Sequence, residues 1–139
     1  MQAAIGIAQL EKLDRALELR SAAAARYAEL LDGVEGVGLA PSDDADHRRS
    51  WFVYVVALAP ELDRARVMTD LREQGVDVAE YVPCIHLHSY LRDRFGFTEG
   101  LCPVAEDLAS RTIALPFFPE LEAGDQAYVV EALRSALAR

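Results

Sequence analysis

WFVYVVAL, residues 51–58, is the stretch that decides the fold, because both of its alternating faces are apolar. Successive side chains of a strand point to opposite faces, so such a run is typical of a strand covered on both sides and central in its sheet. Pro60 ends the strand, since proline has no backbone N–H to donate. Outward from this strand, residues 34–39 are predicted to form a short edge strand, and residues 76–82 and 112–115 also have strand character.

Three amphipathic patterns flank these strands. Over residues 2–31 the apolar side chains recur at spacings of three, four and seven, which predicts one long helix that Gly33 ends. Asp63 is placed to cap a second helix, with Val67, Met68 and Leu71 facing inward and Gly75 closing it. A last helix is predicted over residues 125–137, with four inward side chains: Val129, Val130, Leu133 and Leu137.

The order of these elements predicts an α/β fold of the α+β sandwich type, in which helices pack on one face of a small, mostly antiparallel sheet. A chain of 139 residues is the size of one domain. We therefore expect a single domain over residues 1–139, with a long helix in 1–33 and a small α/β body in 34–139. The first helix starts at residue 2 without a Ser, Thr, Asp or Asn cap, as if entered part-way along.

Charge and composition exclude several classes of protein. The net charge of −9 argues against a nucleic-acid partner, which would need a concentrated basic face. No apolar run approaches the roughly 20 residues that cross a bilayer, and no secretory signal is recognisable, so we expect no membrane partner and a cytoplasmic location. The two cysteines, Cys84 and Cys102, do not form a disulfide framework in such a chain.

Residues that could carry chemistry concentrate between positions 78 and 119. Cys84, His86 and His88 fall at alternate positions and could join Cys102 in a zinc site, but no closely matching zinc pattern is present. Cys84 beside His86 is not a nucleophilic triad. The two histidines are ligand contacts or hydrogen-bonded loop residues. Thus the residues indicate a candidate binding loop and no self-sufficient catalytic apparatus.

Four blocks resemble, in order, the C-terminal part of the DegT/StrS-type sugar aminotransferases: QAAIGIAQLEKLD, EYVPCIHLHSYLRDRFGF, PVAEDLASRTIALPFFP and DQAYVVEALRSAL. Enzymes of this family use pyridoxal phosphate to transfer an amino group to a keto sugar carried on a nucleotide. They have the fold-type I architecture, with a large cofactor-binding domain, a small C-terminal domain and homodimeric active sites. The resemblance covers essentially the whole chain and implies that it is the small domain plus the connecting helix.

The resemblance also implies where function resides. The Schiff-base lysine and the cofactor-binding residues of the family have no counterpart here, so we expect no catalytic, cofactor or metal residue in this chain and no pyridoxal phosphate bound to it. Lys12, the only lysine, matches a non-catalytic helix position. In the family, the loop that matches residues 81–88 lies near the substrate entrance, so Tyr81, His86 and His88 are the expected contacts to the nucleotide sugar. Glu122 stands where a capping Ser or Thr is frequent.

Two functions remain open from the sequence. In the first, the chain is the C-terminal domain of a nucleotide-sugar aminotransferase that is a homodimer and acts in polysaccharide biosynthesis, the chain alone being inactive because the large domain is absent. In the second, it is a stand-alone ligand-binding or protein-interaction module derived from that domain.

Overall fold

The computed structural model describes residues 2–41 and 43–139, which form six α-helices and four strands. The helices are α1 Gln2–Leu10, α2 Leu13–Leu31, α3 Arg64–Glu73, α4 Ser89–Phe95, α5 Pro103–Arg111 and α6 Ala123–Leu137. The strands are β1 Val37–Leu39, β2 Tyr54–Leu58, β3 Ala79–Glu80 and β4 Thr112–Leu115, and a 3-10 helix spans Ile85–Leu87. None of the helices among the described residues is both long and apolar enough to cross a membrane.

The four strands form one sheet in the order β1-β2-β4-β3, and every neighbouring pair is antiparallel. In the central pair Tyr54 lies opposite Leu115 and Ala57 opposite Thr112. Because β4 is antiparallel to both of its neighbours, β2 and β3 run in the same direction, and α3 connects them. The predicted α/β class with a small antiparallel sheet is confirmed.

The core lies between the sheet and three helices. Tyr54, Val56 and Leu58 of β2 are buried and pack with side chains of α2, α3 and α6. Val55 and Ala57 on the other face of β2 are only half-buried. The prediction that this strand is central is confirmed, whereas the prediction that both faces are fully covered is wrong, because the described helices that build the core lie on one side.

The two ends of α3 follow their sequence signals, whereas the start of α6 has no side-chain cap. Asp63 caps α3, since its Oδ1 accepts hydrogen bonds from Ala65 N at 2.9 Å and Arg66 N at 3.2 Å. Gly75 follows α3 with φ of 77°, a left-handed conformation that glycine adopts without steric cost. By contrast Glu122, the residue before α6, makes no side-chain cap. The N-terminus of α6 therefore lacks the hydrogen bond that a shorter polar side chain would supply.

The predicted helix over residues 2–31 is divided into α1 and α2. At the break, Lys12 N donates to Gln9 O at 3.1 Å, a tight i→i+3 bond, and Lys12 has φ of −101°. Helix α2 buries one face against the core, whereas Ile5, Ile7 and Leu10 of α1 are exposed. Tertiary packing thus stabilises α2 alone, and the continuous periodicity of the sequence does not keep the two in one helix.

The predicted strand over residues 76–82 is reduced to the two residues of β3. Val76 and Val78 are buried in the core cluster, but they precede the pairing with β4. Their apolar character reflects packing on the helices, because burial and strand pairing favour the same residue types.

Candidate functional site

The candidate binding loop leaves the sheet at β3 and returns to it at β4. Pro83 disfavours helical backbone at the preceding residue, and residues 81–84 form neither helix nor strand. Gly96 follows the end of helix α4; its φ is 68° and its N–H donates to Arg92 O at 2.8 Å. Helix α5 begins with Pro103, which suits a first helical position because no backbone donor is needed there. Gly96 and Pro103 thus define where α4 ends and α5 begins, and both helices lie in the connection between Tyr81 and Thr112.

Tyr81 lies where the loop begins and is half-buried. Its carbonyl oxygen accepts a hydrogen bond from Thr112 Oγ1, which ties the start of the loop to β4. The Tyr81 ring centroid is 6.5 Å from that of Phe52, and the rings are inclined at 53°. Phe52 is 69% exposed, so the pair forms an aromatic surface that is open to a ligand.

Phe52 is a site residue that the sequence did not reveal, because it belongs to the apolar run that predicts a buried strand. The preceding residue, Trp51, has a positive φ of 47°. Trp51 packs on the core and stacks on Tyr54 with ring centroids 5.7 Å apart, whereas Phe52 remains in solvent. The left-handed backbone conformation is uncommon for tryptophan, and nothing in the local sequence predicts it.

His86 is fixed by a carboxylate. Its Nε2 lies 2.9 Å from Glu106 Oε1, and the two side chains are 12% and 20% exposed. The same oxygen accepts a hydrogen bond from Cys102 N at 3.0 Å, and Oε2 accepts one from Gly100 N at 2.8 Å. One side chain therefore holds the 3-10 helix, the turn before α5 and the first turn of α5 together.

The backbone donors set the charge of Glu106. The hydrogen bonds from Gly100 and Cys102, followed by the contact with His86, lower the pKa of the Glu106 carboxyl below its ordinary value. Glu106 is thus an anion at neutral pH. It was absent from the predicted site, although an acidic residue shortly after a proline at a helix start is a capping signature that could have found it.

A cavity of about 510 Å³ adjoins His86. Its walls are largely apolar, and they come from the loop exit, α4 and the start of α5: Val82, Pro83, Cys84, Ile85, His86, Leu91, Phe97, Cys102 and Ala105. Neither Tyr81 nor His88 lines it. Both cysteines are free and face this cavity from different segments.

His88 is separate from this arrangement. It precedes α4, is exposed, and its side chain makes no capping hydrogen bond. In residues 2–41 and 43–139 no three His, Cys, Asp or Glu side chains are arranged to hold a metal ion. The alternate spacing of Cys84, His86 and His88 does not align their side chains on one face, because the 3-10 helix Ile85–Leu87 replaces the extended geometry that would align them.

Residues 1–134 match the model of the DegT/DnrJ/EryC1/StrS aminotransferase family. The chain belongs to this family. A spore coat polysaccharide biosynthesis protein, SpsC of Bacillus subtilis, is 31% identical over 96% of the chain. A dTDP-4-dehydro-2,3,6-trideoxy-D-glucose 4-aminotransferase of Saccharopolyspora spinosa is 33% identical over 99% of the chain. The chain spans 35% and 34% of the lengths of these relatives.

Solved aminotransferase structures share the fold. DesV of S. venezuelae, solved in complex with a ketimine intermediate, superposes on 99% of this chain with a TM-score of 0.87 at 31% identity. The chain covers 36% of DesV. These comparisons confirm the resemblance to the small C-terminal domain of sugar aminotransferases.

The family depends on pyridoxal phosphate, but the residues of this chain do not fit a Schiff-base site. Such a lysine needs a desolvated setting that makes its amine nucleophilic. Lys12, the only lysine, is exposed in the break between α1 and α2 and forms no ion pair within the described residues. Cofactor chemistry is therefore not attributed to Lys12.

Proposed function

We propose that this chain supplies the small domain of an enzyme that transfers an amino group to a keto sugar linked to a nucleotide, and that Tyr81, His86 and His88 contact this substrate. The observation that carries the proposal is the fixed position of His86 at the rim of an apolar cavity, within a loop anchored at Tyr81 and Glu106. The relative from Saccharopolyspora spinosa, named for its action on a dTDP-linked keto sugar, supports the substrate class.

The described groups suit different parts of such a ligand. The exposed rings of Phe52 and Tyr81 offer surface on which a planar base or the apolar face of a sugar can stack. His86 offers one oriented ring for a sugar hydroxyl, and the exposed His88 offers a second polar contact. The apolar cavity walls next to His86 offer few polar groups that compete for such a hydroxyl. The cofactor pocket and its lysine belong to other residues of the enzyme.

A chimeric enzyme tests this function. The matching third of the Saccharopolyspora spinosa aminotransferase is replaced by this chain, and amino transfer to its dTDP-linked keto sugar is measured. We expect turnover, with His86→Ala and Tyr81→Ala raising KM by about tenfold, the effect of losing roughly 1.4 kcal/mol of binding. His47→Ala is the matched control, because His47 is an exposed histidine outside the loop. A folded chimera in which these loop variants leave KM unchanged contradicts the assignment.

We further propose that the enzyme is a cytoplasmic homodimer. Two free cysteines suit a reducing compartment, which supports the location. Apolar side chains of α1, with Ile5, Ile7 and Leu10 each more than half exposed, support association with further protein surface. Light scattering after size-exclusion chromatography tests the oligomer, and fractionation of the producing cell tests the location.

The same exposed face of α1 favours a second candidate, a stand-alone protein-interaction module. The two candidates differ in what the loop does. If the chain is an interaction module that binds through α1, the chimera described above has no activity. Loss of association in Ile7→Asp is expected of both candidates and does not separate them.

A further inference from the structure

The contact between His86 and Glu106 determines which ring nitrogen carries the proton. A carboxylate oxygen only accepts hydrogen bonds, so the ring atom that faces it, Nε2, must be the donor. Glu106 is held as the anion by two backbone amides, from Gly100 and Cys102, and it has no proton to offer in return. In the neutral imidazole the other nitrogen, Nδ1, is then bare.

We propose that Glu106 is a positioning residue that fixes neutral His86 in the Nε2–H tautomer, so that Nδ1 is presented as a hydrogen-bond acceptor to a donor group of the ligand. The assignment of the tautomer stands on the geometry of this chain alone. The statement about the ligand rests on the function proposed above and deepens it, because it names the kind of substrate group that His86 recognises.

Burial makes the tautomer selective. Exposed imidazoles exchange between tautomers with water as a partner, but water has little access to the contact between two side chains that are only 12% and 20% exposed. His47 provides the contrast within the same molecule. Its Nδ1, rather than Nε2, lies 2.8 Å from Asp44 Oδ1, and those side chains are 81% and 62% exposed. The two histidines are therefore biased towards opposite tautomers, and the His47 contact is the weaker of the two.

The tautomer restricts the substrate chemistry. A bare Nδ1 accepts from a sugar hydroxyl or an amine, and it does not bond a keto oxygen, an ether oxygen or a phosphate oxygen while the ring is neutral. No described residue donates to Nδ1 of His86. A ligand that lacks the matching hydroxyl leaves this acceptor unpaired in a largely apolar surrounding, which lowers its affinity.

Nitrogen-15 NMR of the imidazole rings tests the tautomer on the ¹⁵N-labelled chain, under alkaline conditions in which the ring nitrogen shifts no longer change with pH. The wild-type chain is expected to show a protonated Nε2 and a bare Nδ1 at His86. In Glu106→Gln the Nδ1–H form is expected to rise above roughly a tenth of the population, since an amide can face Nε2 with either its oxygen or its NH₂ group. Glu106→Asp is the conservative variant and should retain the wild-type tautomer in part.

Two controls separate positioning from a general loss of structure. Glu99→Gln changes an exposed carboxylate of the same loop, and His88 reports from two residues away. Neither the His86 tautomer in Glu99→Gln nor the His88 signals in Glu106→Gln should change. A wild-type spectrum with both tautomers at His86, or a tautomer ratio that Glu106→Gln leaves unchanged in a folded chain, overturns the assignment.

Titration with dTDP-glucose tests the acceptor role. A hydroxyl that donates to Nδ1 is expected to move the Nδ1 resonance upfield by several ppm while the Nε2 resonance stays nearly fixed. If the backbone amides at residues 81–88 respond and Nδ1 does not, the acceptor role is overturned and the proposed contact loop stands. If no resonance of the loop responds at millimolar ligand, both the acceptor role of His86 and the proposed substrate contacts are overturned. The assignment of the His86 tautomer is tested separately and is unaffected.

Discussion

Gln126 of α6 accepts a hydrogen bond at its Oε1 from Nε of Arg26 in α2 over 2.6 Å. Gln126 is fully buried, and its Nε2 donates to Ala23 O at 2.8 Å, so both ends of one amide join the two helices. Arg26 also donates to Leu121 O at 2.8 Å, which brings the turn before α6 into the same network. The arrangement explains how a polar residue occupies the helix-facing core without an unpaired group.

Replacing Gln126 by Leu should destabilise the chain by about 1–3 kcal/mol, because the carbonyl of Ala23 and the guanidinium of Arg26 lose their partner while the volume is retained. Chemical denaturation followed by circular dichroism measures the change. The control is Gln9→Leu, at an exposed position of α1, for which a shift within about 0.5 kcal/mol is expected. Equal stability of the two variants would show that the network contributes nothing.

The cap of α3 should account for a separate share of stability. Asp63→Ala removes the acceptor for Ala65 N and Arg66 N, and a loss of about 1 kcal/mol is expected. Asp63→Ser retains a capping oxygen and should recover most of this loss. Thermal unfolding of the three proteins gives the comparison, and an unchanged midpoint in Asp63→Ala would contradict it.

At the start of α6 a capping side chain can be added rather than removed. Glu122 already has extended backbone angles, φ −72° and ψ 152°, which suit a capping side chain. Glu122→Ser is therefore expected to stabilise the chain by about 0.5–1 kcal/mol. The matched substitution Glu120→Ser, at an exposed residue outside the helix, should be neutral. Parallel denaturant titrations decide the matter, and a destabilised Glu122→Ser would refute the interpretation.

Acid should weaken the anchor formed by Glu106. Its folded-state pKa is lowered, first by the amides of Gly100 and Cys102, so its contribution is present above the unfolded value of about 4.3 and is lost as pH falls through the folded value. The stability difference between wild type and Glu106→Gln should therefore be largest at neutral pH and shrink below about pH 4. Urea unfolding at a series of pH values measures this difference. A difference independent of pH would exclude the charge as its source.

Alkali should unfold the chain through its buried phenols. Burial raises the pKa of Tyr54 to about 12, and it raises that of Tyr27 further. Below the unfolded pKa of about 10 the full stability remains, and it is lost as pH rises towards the folded values, because the unfolded chain ionises first. Tyr54→Phe keeps the ring and should reduce this decline by about 1 kcal/mol per pH unit between pH 10 and 12. Denaturant titrations between about pH 9 and 12 measure the decline, and an equal decline in wild type and Tyr54→Phe would contradict the assignment to this phenol.

The elements that the sequence predicted correctly are those whose packing and local signals agree. Asp63, Gly75 and the stripe of Val67, Met68 and Leu71 mark α3 by capping, turn conformation and burial together, and the structure has that helix. The division of α1 from α2 could not be predicted, because apolar spacing continues through it. The spacing of apolar residues shows that a helix has an apolar face, but it does not show which part of the protein that face packs against.

Part of the candidate site could not be predicted either, because some of its residues are distant in sequence. Tyr81 and His86 could be named from a family resemblance, but their partners Phe52 and Glu106 lie 29 and 20 positions away. Only the three-dimensional course of the chain brings each pair together. A backbone turn at Trp51 in one case, and amide donors before α5 in the other, create contacts that no short motif encodes.

Strand β4 is inserted between β2 and β3, although the chain reaches it only after both. When only residues up to 111 have left the ribosome, β4 is still missing from its place between β2 and β3. One edge of β2 therefore stays unpaired until Thr112–Leu115 emerge. Completion of the sheet thus requires contacts between segments that are far apart in sequence, which slows folding. Until then the unpaired strand edge can associate with other unfolded chains. Shortening the loop between β3 and β4 should accelerate that closure, at the expense of the segment that carries His86.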